Sequence, residues 1–272
     1  MSIPATIAHD LIAELDAVND ADANQFQIGL LLRKADRLLT TDAFSGYVIK
    51  GILYSYLWDE KNTRIFFAKA EAISTSNIFL YMNQAVVLGR LSYDSESRQS
   101  YLKAVQISRV SEEAAYQYLL SCIGSNRPDL IADGLDLYVT AGGKMSNRIS
   151  TTVHSAQKCK AMFESAEIDF SFAETMHALV GKVVRAFKVR DRGLGHTLIG
   201  EDGLCYLSVY VSVQATVDIV VQMNEQLTAE ILSVYDFSCE QADKLIYHFV
   251  PLSDDEVEEK AVVSLASVGE SI

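Results

Sequence analysis

Five cations crowd one short stretch of this chain: Lys182, Arg185, Lys188, Arg190 and Arg192, opposed there only by Asp191. In a 272-residue chain of net charge -13 that is a marked local asymmetry. Such a cluster has the chemistry to hold a phosphate, a nucleic-acid backbone or an acidic segment. Cations near a helix C-terminus are also favoured by the helix dipole alone, by about 0.3–1 kcal/mol each. One acidic segment lies in the chain itself, Asp254-Asp255-Glu256-Val257-Glu258-Glu259, and opposite charge makes it a candidate counter-ion for the cluster. Glu174 and His177 stand one helical turn apart, a spacing that can bind metal, but no second such pair accompanies them and a surface ion pair accounts for it. His196, near Glu201 and Asp202, has the residue types for acid–base work. Polar residues around a hairpin turn produce the same pattern.

The remaining chemistry is sparse. Cys122, Cys159, Cys205 and Cys239 are scattered, with no Cys-x-x-Cys and no His at ligand spacing, which reads as free thiols in a reducing compartment. No glycine-rich phosphate loop opens a helix, and no Ser or Cys nucleophile sits in a strand-to-helix elbow. The sequence therefore assigns no catalytic residue, no metal and no cofactor. The acidic balance argues against general nucleic-acid binding, which needs clustered Lys and Arg along the phosphates. It suits solubility or a basic partner.

The elements that would carry the cluster fall in the second half. Ser146 to Ser165 reads as a helix. Ser171-Phe172-Ala173-Glu174 is a capping-box pattern, followed by a 3.6-residue stripe through Met176, Leu179, Val180, Val183, Val184 and Phe187. The period then changes to two. His196 to Ile199 and Leu204 to Val213 are strands joined at Glu201-Asp202-Gly203, with Leu207, Val209, Val211 and Val213 on one face. A helix over 216–234 and a strand over 244–252 follow. The order helix, strand, strand, helix, strand predicts a small α+β layer, and the 214–243 connection is long enough to reach a parallel strand. The stretch 204–217 is uncharged but too short to span a bilayer.

The first half repeats. Phe66 to Ile73 returns as Ser100 to Ile107, and an earlier copy runs from Leu31 to Leu38. The Lys-Ala pairs fall at 34–35, 69–70 and 103–104, so the spacings are 35 and 34. Tyr47, Gly51, Tyr54, Thr63, Phe67 and Ala70 are answered 34 residues later by Tyr81, Ala85, Leu88, Ser97, Tyr101 and Ala104. A fixed period of this size marks helix-turn-helix repeats. On these positions the first half resembles the tetratricopeptide repeat family. It departs from it in lacking the usual proline after the second helix, where Thr75 and Arg109 stand, and in degenerate units at 5–40 and at 111–141.

The resemblance implies that the first helices of the repeats, the A helices, line a groove that binds another polypeptide. Carried over by repeat position, its wall is Val48, Ile52 and Tyr56, then Phe79, Met82, Asn83, Val86 and Arg90. Relatives that grip a C-terminal carboxylate place Lys and Asn at several of these positions; here they are mostly apolar. The expectation is therefore a groove for the apolar face of a partner, filled either by a foreign peptide or from within, by the C-terminal half or a second copy. In full, the expected organisation is α+β: a TPR-like helical repeat array over 1–143, a linker helix and small α+β domain over 144–252, and an acidic, flexible tail over 253–272. The expected role is a cytoplasmic adaptor, chaperone or neutralising protein. The alternative is an enzyme or nucleic-acid-acting protein working through 182–192 and His196.

Overall fold

Alternate helices of the first half are opened by a polar side chain and end in a positive-φ turn, and both features recur. The computed structural model describes residues 25–201, 204–234 and 240–252, together with Leu11 and Glu14. The chain divides into two compact units, 1–160 and 161–272. In the first, α1 (Gln25–Leu38) is followed by α2 (Ala43–Tyr56), α3 (Glu60–Ile73), α4 (Ile78–Arg90), α5 (Asp94–Ile107) and α6 (Glu112–Gly124). A 3-10 turn at Pro128–Leu130 then leads into α7 (Ile131–Thr140) and the start of α8 (Asn147–Ser165). Asp42, Asn77 and Ser111 cap α2, α4 and α6 by accepting from Ser45, Phe79 and Ala114 N–H. Ser146 does the same for α8, accepting from Ile149 N–H at 3.3 Å. These caps stand 34 or 35 residues apart, so the spacing runs one step past Gly142-Gly143, where the side-chain pattern fades.

The turns inside the helix pairs repeat as well. Trp58, Ser92 and Asn126 all adopt positive φ, at 56°, 54° and 55°. Behind each, the next N–H reaches back to close the preceding helix: Asp59 to Tyr54 C=O at 3.0 Å, Tyr93 to Leu88 at 2.8 Å, Arg127 to Cys122 at 2.8 Å. This is the Schellman closure, which satisfies carbonyls that a helix end would otherwise expose. Three unrelated side chains thus share one backbone conformation at 34-residue intervals.

Packing explains the Lys-Ala echo. Ala35, Ala70 and Ala104 are fully buried, where no larger side chain would let neighbouring helices close. Lys69 lies over the Tyr47 ring at 5.6 Å, and its counterpart Lys103 over Tyr81 at 5.1 Å. Gly51 is held to glycine by Phe67: a Cβ there would come within 2.7 Å of the Phe67 ring. Arg64 ties successive pairs together, donating to Glu60 on its own helix and to Glu96 on α5, both at 2.7 Å. Neighbouring helices contact one another in chain order, and one continuous core runs from Ile28 through Leu53, Leu80 and Tyr118 to Ile149. The first unit is therefore an array of helices compatible with a helical repeat.

The second unit is a three-stranded sheet with helices on one face. It holds the end of α8, α9 (Phe170–Phe187), β1 (Asp191–Glu201), β2 (Leu204–Val213), α10 (Val217–Val234), the short α11 (Glu240–Lys244) and β3 (Leu245–Pro251). The sheet order is β1-β2-β3; β1 and β2 form an antiparallel hairpin, and β3 returns parallel to β2. The chain is α+β, mostly helical, with the small sheet after the array. Alternation holds as expected: Leu207, Val209, Val211 and Val213 are buried, while Tyr210 is exposed. Leu245, Tyr247 and Phe249 of β3 continue the buried face.

Two local details differ from the sequence expectation. The cap of α9 is Asp169, not Ser171; its carboxylate accepts from Ser171 and Phe172 N–H, so the helix starts two residues earlier. The first strand is longer than 196–199, beginning at Asp191. It carries Gly195 because Tyr210 lies across it: a Cβ at Gly195 would sit 1.9 Å from that ring. Strand β3 is an edge strand whose Phe249 N–H and C=O point outward, and the Asn224 side chain of α10 meets both, at 2.8 and 3.1 Å. Asn224 thus stands in for a missing neighbour strand. Asn224→Leu is expected to lower the unfolding free energy by about 2 kcal/mol, since two partly buried backbone groups lose their partner. Urea denaturation measures it; an unchanged midpoint would contradict the assignment.

Candidate functional site

The A helices present a graded surface. Val48 is 0% exposed and Ile52 only 9%, on the side of α2 that packs into the core. These two residues of the expected wall belong to the continuous core and offer no surface to a partner. Further along, the equivalent positions open. Val86, 34 residues after Ile52, is 50% exposed, and Leu120, the next in the series, is 38% exposed. Phe79 and Met82 lie half-buried beside Val86 on α4. Leu120 also borders a hollow of about 210 Å³ with Tyr101, Gln117, Asp94 and Ser97, between α5 and α6.

The polar members of the wall are already oriented. Asn83 donates from Nδ2 to Phe79 C=O at 2.7 Å, one turn back on its own helix. Arg90 lies over the Tyr56 ring, 3.8 Å from its centroid, which joins two positions of the wall on successive A helices. On α6, Tyr116 is covered by Arg148 at 3.5 Å, and Arg148 also donates to Glu113 at 2.6 Å. Each guanidinium stands over an aromatic ring, and that of Arg148 is already engaged by the Glu113 carboxylate. The open wall is thus Phe79, Met82 and Val86 with Leu120, edged by Asn83, Gln117 and the Tyr56–Arg90 pair. Leu120 and Gln117 were not among the expected residues. Counting 34 on from Val86 and Asn83 finds them, but the unit that holds them has lost its signature side chains.

The chemistry-bearing residues of the second half lie on α9, its exit and β1. Lys182 pairs with Glu230 of α10 at 2.6 Å. Arg185 is in the last turn of α9, Lys188 forms its left-handed C-cap, and Arg190 precedes β1, so these three follow the chain out of one helix end. The side chain of Arg192 lies outside the described ones, as do the acidic run 254–259 and Cys239. His177 is buried, with its ring 6.0 Å from that of Tyr247. His196 meets the edge of Phe163 at 5.9 Å, and burial, aided by the nearby His177, pushes its pKa down to about 4. It is neutral near pH 7. Glu201 lies five residues further along the same strand, about 16 Å at the usual rise.

Burial raises Cys122 and Cys159 to about 12, which leaves both thiols protonated and unreactive. Among the described residues no group of three or more His, Cys, Asp or Glu could hold a metal ion. Among them, too, no helix is long and apolar enough to cross a membrane. No family model, curated protein or solved structure matches the chain, so the reading of the site rests on its own geometry.

Proposed function

We propose that the protein is a polypeptide-binding module of tetratricopeptide-like construction, which takes the apolar side chains of a partner onto α4 and α6. The observation that carries this reading is the pair Val86 and Leu120, exposed at 50% and 38% at the same position of successive repeats. Apolar residues that recur in register and stay open differ from the single exposed ones of any surface. Phe79 and Met82 enlarge the patch, and Asn83, Gln117 and Arg90 supply a polar rim, the usual anatomy of a binding surface. Adaptor, chaperone and neutralising protein are all uses of such a surface. The chain's net charge of -13 favours a basic or neutral partner over an acidic one.

The test begins with peptides selected from a random library on the wild-type protein. Val86→Asp and Leu120→Asp are expected to weaken the selected peptides by roughly 30-fold each, as a charge does at a desolvated anchor. Both positions are solvent-facing, so melting temperature should stay within a few degrees of wild type. Binding should also change little between low and moderate salt, because apolar burial drives it. Peptides that bind both variants as tightly as wild type, or that are released by 0.3 M salt alone, would remove the groove from the account.

A further inference from the structure

One buried hydroxyl of the first unit is left over from packing. Tyr101 of α5 is 7% exposed, yet among the described residues nothing bonds its Oη. Burial first, and the charge of Glu113 second, push its pKa up to about 12, so it stays a neutral phenol. Phe67, 34 residues earlier, fills the same position of its repeat with a bare ring, so packing alone does not call for the oxygen. Buried polar groups are as a rule paired, and an exception calls for an explanation. Tyr101 borders the hollow of about 210 Å³ that adjoins Leu120 of the open wall. Small-molecule sites run to about 300–1,000 Å³, so a hollow of this size suits a single side chain. The serine hydroxyls that line it have spent their hydrogens: Ser97 Oγ donates to Ala85 C=O at 2.8 Å, and Ser121 Oγ to Tyr118 C=O at 2.6 Å. Gln117 donates from Nε2 to Glu113 at 2.7 Å, which leaves its Oε1 to accept. Asp94, which has contacts of its own, adds a carboxylate that only accepts.

We propose that this hollow takes a lysine side chain of the bound polypeptide, its ammonium donating to Tyr101 Oη and Gln117 Oε1 while its stem runs along Leu120. The inference rests on the polypeptide-binding reading of α4 and α6 and names the residue type that surface selects. An ammonium brings three donors and no acceptor, the complement of a hollow lined by oxygen lone pairs. Its methylene stem buries against apolar surface while the charged head finds polar partners. The Glu113 charge felt at the phenol, and the chain's net charge of -13, both favour a cation there. Charge inside a hollow is screened less than charge on an open surface, so the weak salt dependence expected of the groove still holds.

The test uses peptides selected from a random library on the wild-type protein. They should carry a lysine at a fixed distance from the apolar residue whose binding Val86→Asp weakens. Replacing that lysine by norleucine keeps the stem and removes the charge. The exchange should weaken binding about tenfold on wild type but only about threefold on Tyr101→Phe, the difference being the coupling between ammonium and hydroxyl. Tyr101→Phe should melt no lower than wild type, since the hydroxyl it removes has no partner within the fold. Equal losses on the two proteins, selected peptides without a recurrent lysine, or a Tyr101→Phe protein that melts well below wild type would each overturn the proposal. The groove itself survives any of these results as long as Val86→Asp still weakens the peptides. If Val86→Asp leaves their binding intact, the groove falls and the lysine hollow falls with it.

Discussion

Gly51→Leu is expected to destabilise the protein by about 3 kcal/mol, at the upper end of the cost of overfilling a packed interior. The cause is local. Gly51 is buried on α2 with the Phe67 ring of α3 against its Cα, and even a methyl group would stand 2.7 Å from that ring. Phe67 is itself buried and cannot swing into solvent. A leucine must therefore push α2 and α3 apart, and α4, which rests on α2, moves with them. Phe67→Ala in the same background makes room. The double variant should recover at least half of the loss, even though Phe67→Ala alone costs about 3–5 kcal/mol. Denaturant titration of the four proteins measures the coupling. Strictly additive losses would mean that the two residues do not share the space the structure gives them.

Acidification is expected to destabilise the second unit through His196. In the unfolded chain its imidazole titrates near 6.5; in the folded one burial first, and the charge of nearby His177 second, bring it to about 4. The folded protein therefore refuses a proton that the unfolded chain accepts. Above about pH 6.5 both are neutral and nothing is lost. Between 6.5 and 4 stability falls as pH falls, by up to about 3 kcal/mol in total, at 1.36 kcal/mol for each unit of difference. Below about 4 both forms are protonated and the loss levels off. His196→Phe, which keeps a ring beside Phe163, should flatten the unfolding free energy over that window relative to wild type. If the two proteins show the same slope between pH 4 and 6.5, His196 is not the group responsible.

How much could be read from residue types alone depends on whether side chain or backbone carries the repeat. The Lys-Ala echo was legible because both residues have a packing reason to recur: the alanine seals a helix contact, and the lysine covers a tyrosine one repeat at a time. The turns at Trp58, Ser92 and Asn126 were not legible, since what recurs there is a positive φ and not a residue type. The same holds for Ser146, one serine among many until its contact with Ile149 N–H marks it as a cap. In the sheet, alternation along β2 and the parallel return of β3 followed from periodicity and connection length. Asp169 displaced Ser171 as cap because a carboxylate two residues upstream reaches two N–H groups at once.

The groove illustrates a different limit. Val48, Ile52 and Val86 are all apolar at groove positions, and type alone cannot separate core from open wall. What separates them is which side of its helix each one occupies: Val48 and Ile52 belong to the continuous core, whereas Val86 on α4 is half exposed. Conversely, Leu120 was hidden by the loss of signature residues around it, although its position in the count is regular. For the candidate chemistry, Lys182 is paired with Glu230, and Arg185, Lys188 and Arg190 follow the chain from α9 towards β1.

Hydrogen exchange on the intact protein, with and without a saturating selected peptide, is the most direct measure of polypeptide binding on α4 and α6. Slowed exchange should concentrate in residues 78–90 and 112–124 and vanish when Val86→Asp is used at the same peptide concentration. Protection confined to 191–213, or none in either helix while the peptide is demonstrably bound, would contradict it.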